Sequence, residues 1–381
     1  MYIDIQGGNM KRIWTLFLTL VVALALVACS SDSKPTGEVE KIEPVLEVGE
    51  NDLYLITDVG TIDDKSFNQG SYEGLERYAK AVDRKAHYLQ PLDDSKASYL
   101  SSIGEAVKEG AKVIVTPGFL FEPAVYEAQD TYPDVKFILV DGVPQPGDYS
   151  DLRTNDNVLS ILYHEEQSGF LAGYAAVKEG FTNLGYMGGM AVPAVMRFGY
   201  GFVAGANHAA EEMGVDVTVR YTYLGNFNQD PEHTVQAASW YNSGVEIIFA
   251  AAGGAGNMVM RAAEDADKWM IGVDVDQKDE SPKVLTSAMK NLQLSVFEAT
   301  RSVYDDKWEG GQTLNLSVND NGVQLSDDFS RFETFTKEDY DAIYKALQDN
   351  KDGITDAIPT DANTDGPGEI KLPKVKVEVI D

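Results

Sequence analysis

The sequence predicts an α/β protein built as two doubly wound parallel-sheet lobes. Three observations predict it. Apolar strand-like runs alternate with helix-like segments from residue 52 onward. There are too many such strands for one sheet of common size, and DLRTNDNVLSILY (151–163) interrupts the alternation. The chain, at 381 residues, is also too long for one ordinary core and suits two.

The elements follow in order. LYLITDV opens as a buried strand, and FNQGSYEGLERYAKAV then has helical spacing, with Phe67, Tyr72, Leu75, Tyr78, Ala79 and Val82 on one face. AHYLQP is a short strand, and SYLSSIGEAVKEG is a helix ended by Gly110. AKVIVTPG, EPAVYEAQDTY and VKFILVDG continue as strand, helix, strand. Beyond the interruption NLGYMGGM, AVMRFGYGFVAGANHAAEEMG, DVTVRYTYL, HTVQAASWYNSG, VEIIFAAAG, GNMVMRAAEDA and KWMIGVDVD keep the same alternation. The lobes are expected to meet near Asn155–Leu159. The chain should cross back near Lys290, between the strand VLTSAMKN and the helix LQLSVFEATRSVYDDKW, and again within TLNLSVNDNGVQLSD. The tail from Phe335 to Asp381 holds a helix pattern, a Pro- and Gly-rich stretch read as a loop or a partly disordered segment, and a last strand, KVKVEVI.

The first thirty residues differ. Lys11 and Arg12 precede a continuous apolar run that ends in Leu26-Val27-Ala28-Cys29, with Cys29 the single cysteine of the chain. This is a signal-peptide pattern, and its end resembles the lipobox of bacterial lipoproteins, in which the cysteine carries a lipid. Met10, directly before Lys11, is an alternative start. The expected organisation is a signal peptide over 1–29 ending at lipidated Cys29 and a flexible tether over 30–51. Lobe 1 would take 52–157 with about 292–318, and lobe 2 would take 158–291 with about 319–381. The body is expected to sit on the extracytoplasmic face of the cell membrane, held by its lipid.

A formal net charge of -30 argues against nucleic-acid binding, which needs a basic footprint. The chain contains no GxSxG, HExxH or P-loop. His87, His164, His208 and His233 follow no ligand spacing and read as structural or surface groups. The acids of TDVGTIDD lack the EF-hand spacing. The reading is a binding protein and not an enzyme, with no metal and no cofactor.

In doubly wound sheets ligands bind beyond the carboxyl ends of the strands. Asp58, Asp141 and Asp274 each end an apolar strand, in LITD, FILVD and MIGVD. Such residues can simply cap the next helix, but three on facing loops suggest acceptors for a polar ligand. Phe67 and Asn68 open a helix directly after the acid loop, Phe198 offers a second ring, and Lys290 adds a donor. Gly253 and Gly254 of AAGGAGN let backbone approach closely. Two rings with several acceptors suit a planar heterocycle that bears hydroxyls. Asp63, Asp64 and Lys65 are expected to shape the loop, cap the helix or face solvent.

TDVGTIDDKSFNQGSYEGL closely resembles the hallmark segment of the basic membrane protein family of lipoproteins, whose characterised members include purine nucleoside receptors. FILVDG, GGMAVPAVMRFGYGF, NFNQDP, AAGGAGN, IGVDVDQ and VLTSAMKN fall in that family's order, so the resemblance runs from about Asn51 to about Glu333. It implies a type I periplasmic-binding-protein fold with three hinge crossings. It also implies a monomeric receptor that delivers adenosine, guanosine or inosine to the permease and ATPase of an ABC importer. Carried over by position, Phe67 would stack on the base, with Asn68 and Asp141 on its edge and Asp58 in the same pocket. Phe198 would be the second ring, Asp274 and Lys290 would hold the ribose, and Gly253 and Gly254 would line the cleft. The alternatives are a receptor for a sugar or a signalling furanone on the same fold, a nucleoside hydrolase, or a surface adhesin or sensor partner.

Overall fold

The computed structural model describes residues 39–380. Cys29 and the signal-like run lie outside the described residues. The chain forms β1 (Leu53–Ile56), α1 (Phe67–Ala81), β2 (His87–Leu89), α2 (Lys96–Glu109), β3 (Val113–Pro117), α3 (Glu122–Thr131) and β4 (Lys136–Val140). There follow β5 (Val158–Tyr163), α4 (Glu165–Glu179), β6 (Asn183–Gly188), α5 (Pro193–Met213), β7 (Val217–Tyr223), α6 (Pro231–Asn242), β8 (Ile247–Ala251) and α7 (Gly254–Ala266). The remainder is β9 (Trp269–Asp274), β10 (Val284–Lys290), α8 (Leu292–Tyr304), β11 (Gln312–Leu316), β12 (Val323–Leu325), α9 (Lys337–Gln348) and β13 (Val375–Val379).

The strands make two sheets. The first has the order β11-β5-β4-β3-β1-β2 and is parallel throughout. The second has the order β12-β10-β9-β8-β6-β7-β13, with only β12 antiparallel to its neighbour. Side chains alternate between faces as strand geometry requires. In β1, Leu53 and Leu55 pack on the side of α1, while Tyr54 and Ile56 pack on the side of α2 and α3. All four are buried, which is why this strand reads as a continuous apolar run. A fully buried Leu or Ile contributes about 1.5–3 kcal/mol, so both faces hold the sheet.

The chain passes between the sheets three times, in the connections after β5, β10 and β11. The first crossing falls later than the sequence reading puts it. Val158–Ile161 pair with β4 and Leu159–Tyr163 with β11, so β5 stays in the first sheet and the chain leaves after Tyr163 and not near Asn155–Leu159. Its apolar residues extend the first sheet before the chain turns away.

The tether reading also changes. Residues 39–51 lie on the body: Ile42 N–H donates to Ala81 O, Leu46 N–H to Tyr304 O, and Arg84 Nε to Val48 O at 2.7 Å. Val48 is buried. Apolar residues spaced through this polar stretch anchor it beside the carboxyl ends of α1 and α8.

The Pro- and Gly-rich part of the tail is folded as well. Ile358 and Ile370 are buried on either side of it, and β13 joins β7 in parallel register.

Candidate functional site

A cavity of about 190 Å³ lies where the carboxyl ends of the two sheets face each other. By comparison, a cavity of roughly 150 Å³ takes one benzene molecule, so the space suits a small compound and excludes a polymer. All nine positions singled out as ligand contacts line it: Asp58, Phe67, Asn68, Asp141, Phe198, Gly253, Gly254, Asp274 and Lys290.

Lys290, the last residue of β10, lines it from the second lobe. It is 4% exposed. Its ammonium bonds Asp141 of the opposite lobe and lies 3.6 Å from both Glu165 and Asp274. It also sits 4.7 Å from the centre of the Phe67 ring. Burial works against its charge, but Asp141, Asp274 and Glu165 more than offset that, and its pKa is raised above the ordinary lysine value. Burial also pushes Asp141 up, with Lys290 pulling it back. Glu165 is pushed up to about 7, again chiefly by burial. The second carboxylate oxygen of Asp141, Oδ1, is buried with no hydrogen-bond partner. A buried acceptor left unpaired is costly, so a donor arriving from the cavity would be favoured.

Asp141 and Asp274 share a further feature. Asp141 directly follows a buried strand and Asp274 ends one, and both hold left-handed backbone, at φ 58° and 67°. Few residues other than glycine do so, and such strain clusters at functional sites.

The acid loop before α1 is held by its own side chains. Asp64 accepts from the backbone N–H groups of Ser66, Asn68 and Gln69, which caps α1 in the way expected of it. Asn68 Oδ1 accepts from Asp58 N–H, while Nδ2 donates to Asp58 Oδ1 at 2.8 Å and to Asp64 Oδ2 at 3.0 Å. The Asn68 amide is therefore engaged in fixing Asp58. Burial, partly offset by these bonds, pushes the Asp58 carboxyl up to about 6. Lys65 ties the loop to the other lobe: its carbonyl accepts from Gln277 Nε2 across the cleft at 2.7 Å, while its side chain stays partly exposed.

Phe198 borders the cavity but is 2% exposed, packed edge-on against Phe249 at 5.7 Å. A second, more open ring comes from Phe227, in the loop after β7. Gly253 and Gly254 serve that loop. A Cβ on Gly254 would lie 2.9 Å from the Phe227 carbonyl oxygen, which accepts from Ala255 N–H.

Sequence reasoning missed Phe227, Glu122, Glu165 and Arg197, all of which line the cavity. Glu165 begins α4, directly after the end of β5, so strand-end position was the available signal. Arg197 joins Glu165 at 3.2 Å. In all, six carboxylates (Asp58, Asp64, Glu122, Asp141, Glu165 and Asp274) face two cations (Arg197 and Lys290). This balance suits a neutral, donor-rich ligand and opposes an anionic one.

The comparisons with known proteins agree with this architecture. Residues 53–357 match the model of the family described as Bmp, ABC transporter substrate-binding protein PnrA-like. The chain is 30% identical over 364 residues to an ABC transporter nucleoside-binding protein, BmpA, of Lactococcus lactis subsp. cremoris, covering 90% of this chain and 97% of the other. It is 32% identical over 345 residues to a CD4+ T-cell-stimulating antigen of Listeria innocua, covering 83% and 91%. Basic membrane protein D of Borreliella burgdorferi is 30% identical over 310 residues, covering 80% and 84%. Among solved structures, a solute-binding protein of an ABC transporter system from Aeropyrum pernix K1 superposes with a TM-score of 0.66 at 23% identity, over 81% of this chain and 89% of that one. That likeness concerns the fold, and it is the type I periplasmic-binding-protein fold. The match over 53–357 shows that this chain belongs to the Bmp family of PnrA-like ABC transporter substrate-binding proteins.

Proposed function

We propose that this protein is a lipid-anchored extracytoplasmic receptor that captures a purine nucleoside between its lobes and delivers it to an ABC importer. The observation that carries the reading is the cavity itself: an aromatic ring at Phe67 beside a ring of buried carboxylates, one of which, Asp141, has an oxygen without a partner. A purine nucleoside offers a flat face to the ring and N–H and O–H groups to the acids. Phe67 and Phe227 bracket the base, with Phe198 as the floor behind Lys290. Asp141 and Asp58 read the base edge, and Asn68 acts by holding Asp58. Asp274 and Lys290 hold the ribose. The Lactococcus relative is named as a nucleoside-binding protein, which supports this choice. Lipid on Cys29 would keep the receptor at the membrane. Among the described residues, no helix is long and apolar enough to cross one.

Native mass spectrometry of the purified protein tests the reading. The expected result is a bound mass equal to adenosine, guanosine or inosine. A bound sugar, or free base generated from added nucleoside, would overturn it in favour of a sugar receptor or a hydrolase.

A further inference from the structure

Arg197 is a cleft arginine with four of its five N–H donors already engaged. Nη1 donates to Glu165, which lines the cavity, at 3.2 Å and to the Tyr163 carbonyl at 3.4 Å. Nε donates to Asp361 Oδ1 at 2.7 Å and Nη2 to Asp361 Oδ2 at 3.5 Å. Asp361 does not line the cavity, and it lies beyond the family match, which ends at residue 357. It belongs to the tail that follows α9. Buried Ile358 and Ile370 pin that tail, and a turn holds it in which Thr360 N–H donates to Asn363 Oδ1 and Asn363 N–H to the Thr360 carbonyl.

A guanidinium with a free planar edge is a strong ligand for phosphate or carboxylate. Here a carboxylate from outside the cavity holds that edge. Burial opposes the charge on Arg197, and Glu165 and Asp361 more than offset it, so the cation is retained, with four of its five N–H donors engaged. We infer that Asp361 is a specificity-determining positioning residue, which withholds Arg197 from anionic ligands and so confines the cleft to uncharged ones. The inference rests on the nucleoside reading above. It goes further by excluding the phosphorylated forms of the same compounds and by assigning to the tail a share of that exclusion beyond the acidity of the cavity itself.

The test measures the ratio of affinities for a nucleoside and for its 5′-monophosphate, with adenosine, guanosine and inosine as probes, on the full-length protein freed of ligand. Wild type is expected to prefer the nucleoside strongly. Asp361→Asn is expected to narrow that ratio by about tenfold or more, and Asp361→Glu to restore it. A structural role alone would lower both affinities together and leave the ratio fixed, which would overturn the inference. Asp361→Ser supplies the same comparison should the asparagine variant melt too early. A wild type that binds nucleoside and monophosphate equally contradicts this inference while leaving the nucleoside reading standing. A wild type that binds neither removes both.

Discussion

Lys290 concentrates much of the chemistry of the cleft in one side chain. Three carboxylates and three aromatic rings surround its ammonium. Each acid alone would be costly to bury, and the lysine keeps the set tolerable. Phe67 is different, because its ring is only half-buried, packed at the margin of the core beside the cavity. Phe67→Ala should therefore weaken nucleoside binding by about 1–3 kcal/mol, the size of a base-stacking contribution, with little change in the melting temperature of the empty protein. A large fall in melting temperature would show that Phe67 is core instead. Asp58 sets a pH dependence whose sign can be worked out. Its carboxyl lies near 6 in the folded protein and near 3.8 in the unfolded chain, so the empty fold loses stability as pH rises from about 4 to 6. Ligand donors favour the ionised form. Affinity should thus fall as pH drops below about 6, by at most about tenfold per pH unit. Calorimetry across that range should show this slope in wild type and a flatter one in Asp58→Asn; equal slopes would remove Asp58 from the ligand's partners.

The helix pair α4 and α5 sets the distance between Glu165 and Arg197. The two helices cross at backbone contact. A Cβ on Gly169 or Gly173 would lie 2.1 or 2.0 Å from the carbonyl oxygens of Phe198 and Phe202, and one on Gly201 or Gly205 would lie 1.9 Å from those of Glu166 and Phe170. Each helix thus contributes two glycines four residues apart to the other's backbone. Gly201→Ala should destabilise the protein by about 1–3 kcal/mol or more, as overpacking of a core does, and chemical denaturation would measure it. A neutral effect would mean that the helices can separate. This element also explains a gap in the sequence reading. Nearly every residue of α4 is buried, so it has no polar stripe and no amphipathic period to reveal it. Glu165 went unnoticed with it. Most of the strands and the other main helices were legible because apolar runs, glycine ends and periodic faces are local signals, but β5 was taken for part of the interruption and β11 and β12 for a crossing segment. Gly110, for example, ends α2 in left-handed backbone.

For the molecule as a whole, the cleft is closed by contacts that no local pattern records. Ser66 Oγ donates to Asp274 Oδ2 at 2.5 Å, Asn257 Nδ2 to the Asp64 carbonyl at 3.3 Å, and Gln277 Nε2 to the Lys65 carbonyl. Lys65 also faces Glu280 at 3.5 Å. All join the amino end of α1 to the second lobe. The strand-end rule located Asp58, Asp141, Asp274 and Lys290 because topology alone brings those ends together. It could not find Phe227, whose place depends on a glycine-permitted approach of one loop to another. Nor could it find Asp361, which reaches Arg197 from 164 residues away. The central claim is that these parts, closed together, hold a purine nucleoside. Isothermal titration calorimetry with adenosine, guanosine and inosine, on protein first unfolded and refolded to remove carried-over ligand, tests it most directly. Saturable binding of at least one of them is expected, with a dissociation constant at or below about the micromolar range. No heat with any nucleoside would contradict it.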